Sequence, residues 1–210
     1  ASRKFKKAEF PLYFRVPEWC AQAEVKVNGV NVNCVSKAGE TVRISREWKD
    51  GDIVTLTFPM EVRISHWYDG ATVVERGPLV YALKMNEKWE KHEFEASYEG
   101  KYGPYYYTCV SDTQWNYGFR LKDMTPDLMF ENFKVEVRSD EGLYPWNLEN
   151  APVTIRAKAV VIKPWKEYNG STGPIAYYRE DGDDTGEEVW IELIPYGCTT
   201  LRIAEFPTRL

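Results

Sequence analysis

Residues 72–83 read T-V-V-E-R-G-P-L-V-Y-A-L, two apolar runs that meet at a Gly77-Pro78 corner. Val, Tyr and Leu favour a pleated, half-buried surface; Pro78 fixes its own φ, and Gly77 tolerates dihedrals that other residues avoid. A run this apolar needs sheet on both sides, which predicts a central strand pair closing a β-sandwich. Taken alone, it describes a core and not an active site.

The rest of the chain follows the same pattern. Leu12, Phe14 and Val16 alternate with Tyr13 and Arg15 between two prolines, as at strand ends. Residues 24–27 lead into Asn28-Gly29, a strong hairpin signal because both residues accept positive φ, and Val30 and Val32 continue the return strand. Val42 and Ile44 face inward from residues 41–45, Asp50-Gly51-Asp52 makes a second tight turn into residues 53–58, and Val62 and Ile64 share a face. Strands recurring about every 8–12 residues, with no apolar period of 3.6, predict an all-β chain of antiparallel sandwiches, jelly-roll or immunoglobulin-like.

Residues 85–99 are charged and irregular, and residues 100–107 are rich in Gly, Pro and Tyr, which suggests a linker. The expected organisation is therefore two tandem sandwiches, residues 1–86 and residues 87–210, the second opening with that linker. Strand character resumes at 105–110, 133–137, 153–162, 189–194 and 201–203, with one short helical turn near 124–130. At 210 residues such a chain buries roughly 70% of its unfolded surface and needs no staples.

The net charge of −5 and the lack of a basic stripe argue against nucleic acid. The basic cluster Arg3-Lys4-Phe5-Lys6-Lys7 is not followed by the apolar core of a signal peptide, and no apolar run approaches a membrane span. Cys20, Cys34, Cys109 and Cys198 form no C-x-x-C, and neither His66 nor His92 stands at zinc-ligand spacing from them. Buried free thiols and a Cys20–Cys34 disulfide across one hairpin both remain open.

A glycosidase pair needs carboxylates about 5–9.5 Å apart. With 32 acidic residues, sequence spacing cannot select one, and solvated surface charge is the commoner explanation of any pair. G-x-S-x-G and phosphate-cradling glycine loops are absent. No catalytic residue is nominated. Residues 181–187, D-G-D-D-T-G-E, can be counted as a calcium loop, with Asp181, Asp183, Thr185 and Glu192 at positions 1, 3, 5 and 12. Against it, residues 189–194 alternate like a strand where an EF-hand has a helix. Aromatic residues in expected loops, Trp67-Tyr68, Tyr105-Tyr106-Tyr107 and Trp115-Asn116-Tyr117, offer stacking faces for sugars or simply core-filling rings. Trp67, Tyr68, Trp115 and Tyr117 are the carbohydrate-binding candidates. Asn169-Gly170-Ser171 matches a glycosylation acceptor.

Several motifs in order carry a family likeness. They are L-Y-F-R-V-P-E-W at 12–19, V-N-G at 27–29, R-E-W-K-D-G-D at 46–52, M-E-V-R at 60–63, R-G-P-L-V-Y at 76–81 and W-N-Y-G at 115–118. A-P-V at 151–153, I-P-Y-G-C-T-T-L-R-I at 194–203 and F-P at 206–207 complete the set. Over nearly its whole length the chain resembles the C-terminal β-sandwich region of glycoside hydrolase family 127, the β-L-arabinofuranosidase-like proteins. The resemblance implies a parent with an (α/α)₆ barrel ahead of the sandwiches, carrying a cysteine nucleophile and a zinc site of cysteines and a glutamate. No residue here matches those positions, so zinc is expected only in that barrel and none as a cofactor of this chain. It further implies a non-catalytic module that supports the barrel, with homodimerisation and a plant-type glycan as further partners, in a secreted or periplasmic protein. The first sandwich would lack a strand supplied from upstream. The alternative is a carbohydrate-binding module that uses the loop aromatics.

Overall fold

The computed structural model describes residues 7–34, 36–95, 101–120, 126–138, 144–176 and 182–208. The chain forms two compact units, Ala1–Glu61 with Arg76–Pro78, and Val62–Glu75 with Leu79–Leu210. It is all-β, as the alternation and turn spacing predicted.

In the first unit, β1 (Lys7–Arg15) pairs antiparallel with β4 (Thr41–Lys49), Leu12 opposite Ile44 and Phe14 opposite Val42. A three-stranded sheet sets β2 (Glu24–Val27) between β3 (Val30–Asn31) and β5 (Val54–Thr57). Alternation drives the burial: Val25, Val27, Val42 and Ile44 turn inward onto Val16, Cys20, Ala23 and Trp48. The Asn28-Gly29 turn takes positive φ at both residues, 51° and 80°, the signature of a hairpin turn matched to strand twist. Asn28 also binds the neighbouring Asp50-Gly51-Asp52 turn. Its amide donates to Asp52 Oδ1 at 2.8 Å, and its Oδ1 accepts from the Ile53 N–H at 2.9 Å. One side chain thus locks two turns together.

The second unit is built on a curled seven-stranded sheet. Its main path runs β11 (Tyr117–Gly118), β13 (Val153–Val161), β16 (Val189–Pro195), β8 (Leu79–Leu83), β7 (Thr72–Arg76) and β6 (Val62–His66). The run at 72–83 is the β7–β8 hairpin and is central, as its composition required. A short helix, α1 (Pro126–Asn132), leads into β12 (Phe133–Val137), which pairs with β13. The inner face buries Val74, Tyr81, Leu83, Ile155, Ala157 and Leu193 against Phe119, Phe133 and Phe206. On the outer face Trp190 is clasped by Arg156 and Lys158, each within 6 Å of its ring centroid.

Several elements differ from expectation. The divide between units falls at residue 61 rather than 86, because β8 pairs with β16 and is thereby committed to the second unit. Residues 88–93 are not an irregular linker: β9 (Lys88–Glu93) pairs with β10 (Tyr105–Val110) in a separate two-stranded ribbon. K-W-E-K-H-E shows no apolar alternation because it is exposed on both faces but for His92. Residues 201–203 are not a strand; the segment holds its place through single contacts, such as the Leu83 N–H donating to the Ile203 carbonyl at 2.8 Å. The Asn169-Gly170 pair makes a second tight hairpin, φ 51° and 73°, between β14 (Glu167–Tyr168) and β15 (Ser171–Thr172). All four cysteines are free thiols.

Candidate functional site

The β6–β7 connection, Trp67-Tyr68-Asp69-Gly70, is a 3₁₀ turn closed by the Trp67 N–H donating to the Ala71 carbonyl at 2.9 Å. It carries Asp69 at φ 58°, a left-handed conformation that short polar residues adopt more readily than most. The turn lifts Tyr68 almost fully into solvent, 87% exposed, with Trp67 beside it at 49%. The Trp67 indole is oriented by donating to Ser65 Oγ at 3.0 Å.

These residues line an open cleft of about 550 Å³ in the second unit. The 3₁₀ turn Tyr196–Cys198 after β16 and the C-terminal segment add Tyr196, Arg202 and Glu205 to the lining. The Arg202 guanidinium lies 4.8 Å from the Tyr196 ring centroid and donates from Nε to the Thr199 carbonyl at 2.9 Å. Both contacts hold the charge in one place.

The buried part of the lining is held by local contacts. Trp165 is buried, meets Trp115 edge-to-face at 5.0 Å, and donates from Nε1 to the Gly173 carbonyl at 3.0 Å. Gly173 in turn donates its N–H to the Lys166 carbonyl at 2.9 Å, closing the β14–β15 hairpin. A Cβ at Gly173 would stand 2.6 Å from that same carbonyl oxygen. Gly173→Ala is therefore expected to cost about 1–3 kcal/mol, in the range of other overpacking substitutions. Chemical denaturation would measure it, and an unchanged midpoint would show that the loop yields freely.

The four carbohydrate candidates separate into two pairs. Trp67 and Tyr68 line the cleft, whereas Trp115 and Tyr117 are half-buried and pack onto the core. Tyr105, Tyr106 and Tyr107 lie on the β9–β10 ribbon, where Tyr107 meets Trp89 edge-on and Tyr106 stacks on His92 at 5.0 Å. His92 also bonds Thr108 Oγ1 at 2.8 Å, and neither it nor His66 reaches the cleft. Tyr196, Arg202 and Glu205 carry no sequence signal of a site: Arg202 lies in residues 201–203, which alternate like one more strand, and Tyr196 and Glu205 belong to no motif of binding chemistry.

The calcium candidates divide between the 182–187 loop and β16. Asp181 lies outside the described residues. Glu192 sits within β16, opposite Arg156, and is paired with Lys84 at 2.8 Å. The Asp183 carbonyl accepts from the Lys163 N–H at 2.8 Å, and Thr185 donates its N–H to the Val161 carbonyl at 3.1 Å. Among the described residues no three His, Cys, Asp or Glu side chains come together as a metal group. What the loop does bury is Asp184, which fills no ligand position in that count and accepts a two-point contact from Arg120 at 3.0 and 2.7 Å. The Arg120 guanidinium holds its carboxyl below the usual carboxylate range despite desolvation.

Comparison with known proteins adds a family likeness. Residues 2–60 match the family model for Beta-L-arabinofuranosidase, GH127 middle domain. A GH127 β-L-arabinofuranosidase from Geobacillus stearothermophilus T6 superposes with a TM-score of 0.56 at 25% identity, over 97% of this chain and 27% of that one. A structure described as a glycoside hydrolase gives 0.58 at 24% identity, over 96% of this chain and 28% of that one. A further GH127 β-arabinofuranosidase gives 0.54 at 20% identity, over 96% and 28%. The chain thus spans less than a third of the length of these structures. No curated protein matches it. The resemblance to family 127 proteins holds in sequence over residues 2–60 and in fold over nearly the whole chain.

Proposed function

We propose that the chain is a non-catalytic β-sandwich module of a family 127-like glycoside hydrolase, serving a catalytic domain that lies elsewhere in its parent. The observation that carries this reading is the asymmetry of the structural match: nearly all of this chain aligns with barely more than a quarter of a β-L-arabinofuranosidase. Two of the chain's thiols, Cys109 and Cys198, fit the reading. Burial, then the nearby Glu87 charge, pushes the Cys109 thiol up, and burial pushes Cys198 up. A nucleophilic or zinc-binding cysteine needs the opposite shift, toward thiolate. Among the described residues the β1–β4 sheet has two strands, and so narrow a pairing gains from a further strand, which another segment of a parent would provide. On this reading the parent works outside the cytoplasm on arabinose-containing plant glycans.

The test is direct. The purified chain should release no chromophore from a 4-nitrophenyl arabinofuranoside of either anomeric form. Turnover that copurifies with the chain through successive columns would overturn the reading.

A further inference from the structure

We propose that the cleft lined by the Trp67-Tyr68 turn and Tyr196 is a binding subsite for a neutral oligosaccharide. The proposal rests on the module reading above and gives that module a task, to hold glycan rather than to cleave it. Size comes first: about 550 Å³ lies within the range that small ligands occupy, roughly 300–1,000 Å³, and suits one or two sugar rings. Chemistry comes second. Sugars present apolar C–H faces and hydroxyl edges, so a site for them needs exposed rings together with donors and acceptors of fixed position.

The cleft offers both. Trp67, Tyr68 and Tyr196 are 49%, 87% and 43% exposed, yet each is carried on a tight 3₁₀ turn rather than a long loop. Arg202, stacked on Tyr196, supplies donors, and Glu205 supplies an acceptor in the same lining. Lining charges of both signs suit hydroxyls, which donate and accept, better than they suit a purely anionic or cationic ligand. The remaining lining adds Asp69 and Thr172 as polar groups and an apolar part in which Trp165, Ile175 and Ile203 belong to one packed cluster, while the Trp67 indole is oriented by Ser65 and the Tyr196 ring by Arg202. Pre-set geometry of this kind lowers the ordering cost of binding.

The experiment titrates the chain with an arabino-oligosaccharide of defined length and follows amide NMR shifts alongside calorimetry. Shifts should concentrate at residues 67–70, 172–175 and 196–205. Trp67→Ala and Tyr196→Ala should each weaken binding about tenfold or more. Tyr13→Ala, an exposed ring on β1 in the first unit, should leave binding unchanged. Both test side chains are near half-exposed, so the variants should keep the parent melting curve. Absent binding, or binding that survives both cleft substitutions, overturns the subsite. Release of free arabinose from the probe would instead overturn the non-catalytic reading beneath it.

Discussion

Phe206→Ala is expected to remove about 3–5 kcal/mol from the stability of the second unit, the range for truncating a buried aromatic. Phe206 is fully buried and comes from the extended C-terminal segment, not from a strand of the main sheet. Its backbone exchanges two hydrogen bonds with Thr72, at 2.8 and 2.9 Å, so it extends the pairing of β7. Its ring stands edge-to-face on Phe119 at 5.0 Å, and Phe119 continues to Phe133 at 5.9 Å. Edge-on pairs of this kind add to plain area burial. Alanine would therefore leave a cavity at the junction of three segments that are remote in sequence, where little can collapse to fill it. Domains of this kind hold only about 5–15 kcal/mol in total, so the loss is a large fraction. Urea denaturation should show a lower midpoint with an unchanged slope, and Phe206→Leu should recover much of the difference. A variant within about 1 kcal/mol of the parent would mean that the C-terminal segment is not part of this core. It would also weaken the cleft, because Arg202 and Glu205 are carried on the same segment.

That segment shows where the sequence is readable and where it is not. Strands with one buried face announced themselves: Val42 and Ile44, or Leu12, Phe14 and Val16, alternate because one side meets a core and the other meets water. The β9–β10 ribbon hid its first strand because a ribbon exposed on both faces imposes no alternation. Asn169-Gly170 carried the same hairpin signal as Asn28-Gly29, but its flanking strands are only two residues each and leave no periodic trace. Of the cleft, Trp67 and Tyr68 were legible because large rings beside Asp-Gly mark a turn with exposed aromatics. Trp115 and Tyr117 looked alike in sequence, and only the tertiary fold could say that Trp165 and the sheet cover them. Tyr196 and Arg202 line one cleft with Trp67 and Tyr68, from segments more than 120 residues apart, and no local pattern encodes such a juxtaposition.

The acidic loop at 181–187 carries the second large effect. Asp184→Asn is expected to cost about 2–4 kcal/mol at neutral pH. Breaking a buried pair by removing one partner typically costs about 3–5 kcal/mol, and the Arg120 head, 27% exposed, keeps enough water to soften that. The carboxylate does more than pair. Asp184 Oδ1 also accepts the Gly186 N–H at 2.7 Å, and Arg120 donates from Nη1 to the Gly186 carbonyl at 3.4 Å, so one acid and one base shape the turn. The backbone bridge between Ile162 and Asp184 then ties the loop to the end of β13. The pH dependence has a definite sign. The folded carboxyl titrates below its ordinary value, chiefly through the Arg120 hydrogen bonds and against the opposing effect of burial. Its contribution is therefore complete above the unfolded value, near 3.9, and is lost as pH falls through the lower folded value. The stability gap between parent and Asp184→Asn should accordingly be flat from about pH 7 to pH 5 and narrow below about pH 4. Denaturation at a series of pH values reads this directly. A gap that widens on acidification would mean that the carboxyl is held in its protonated form, and the ion pair could not then be what closes the loop.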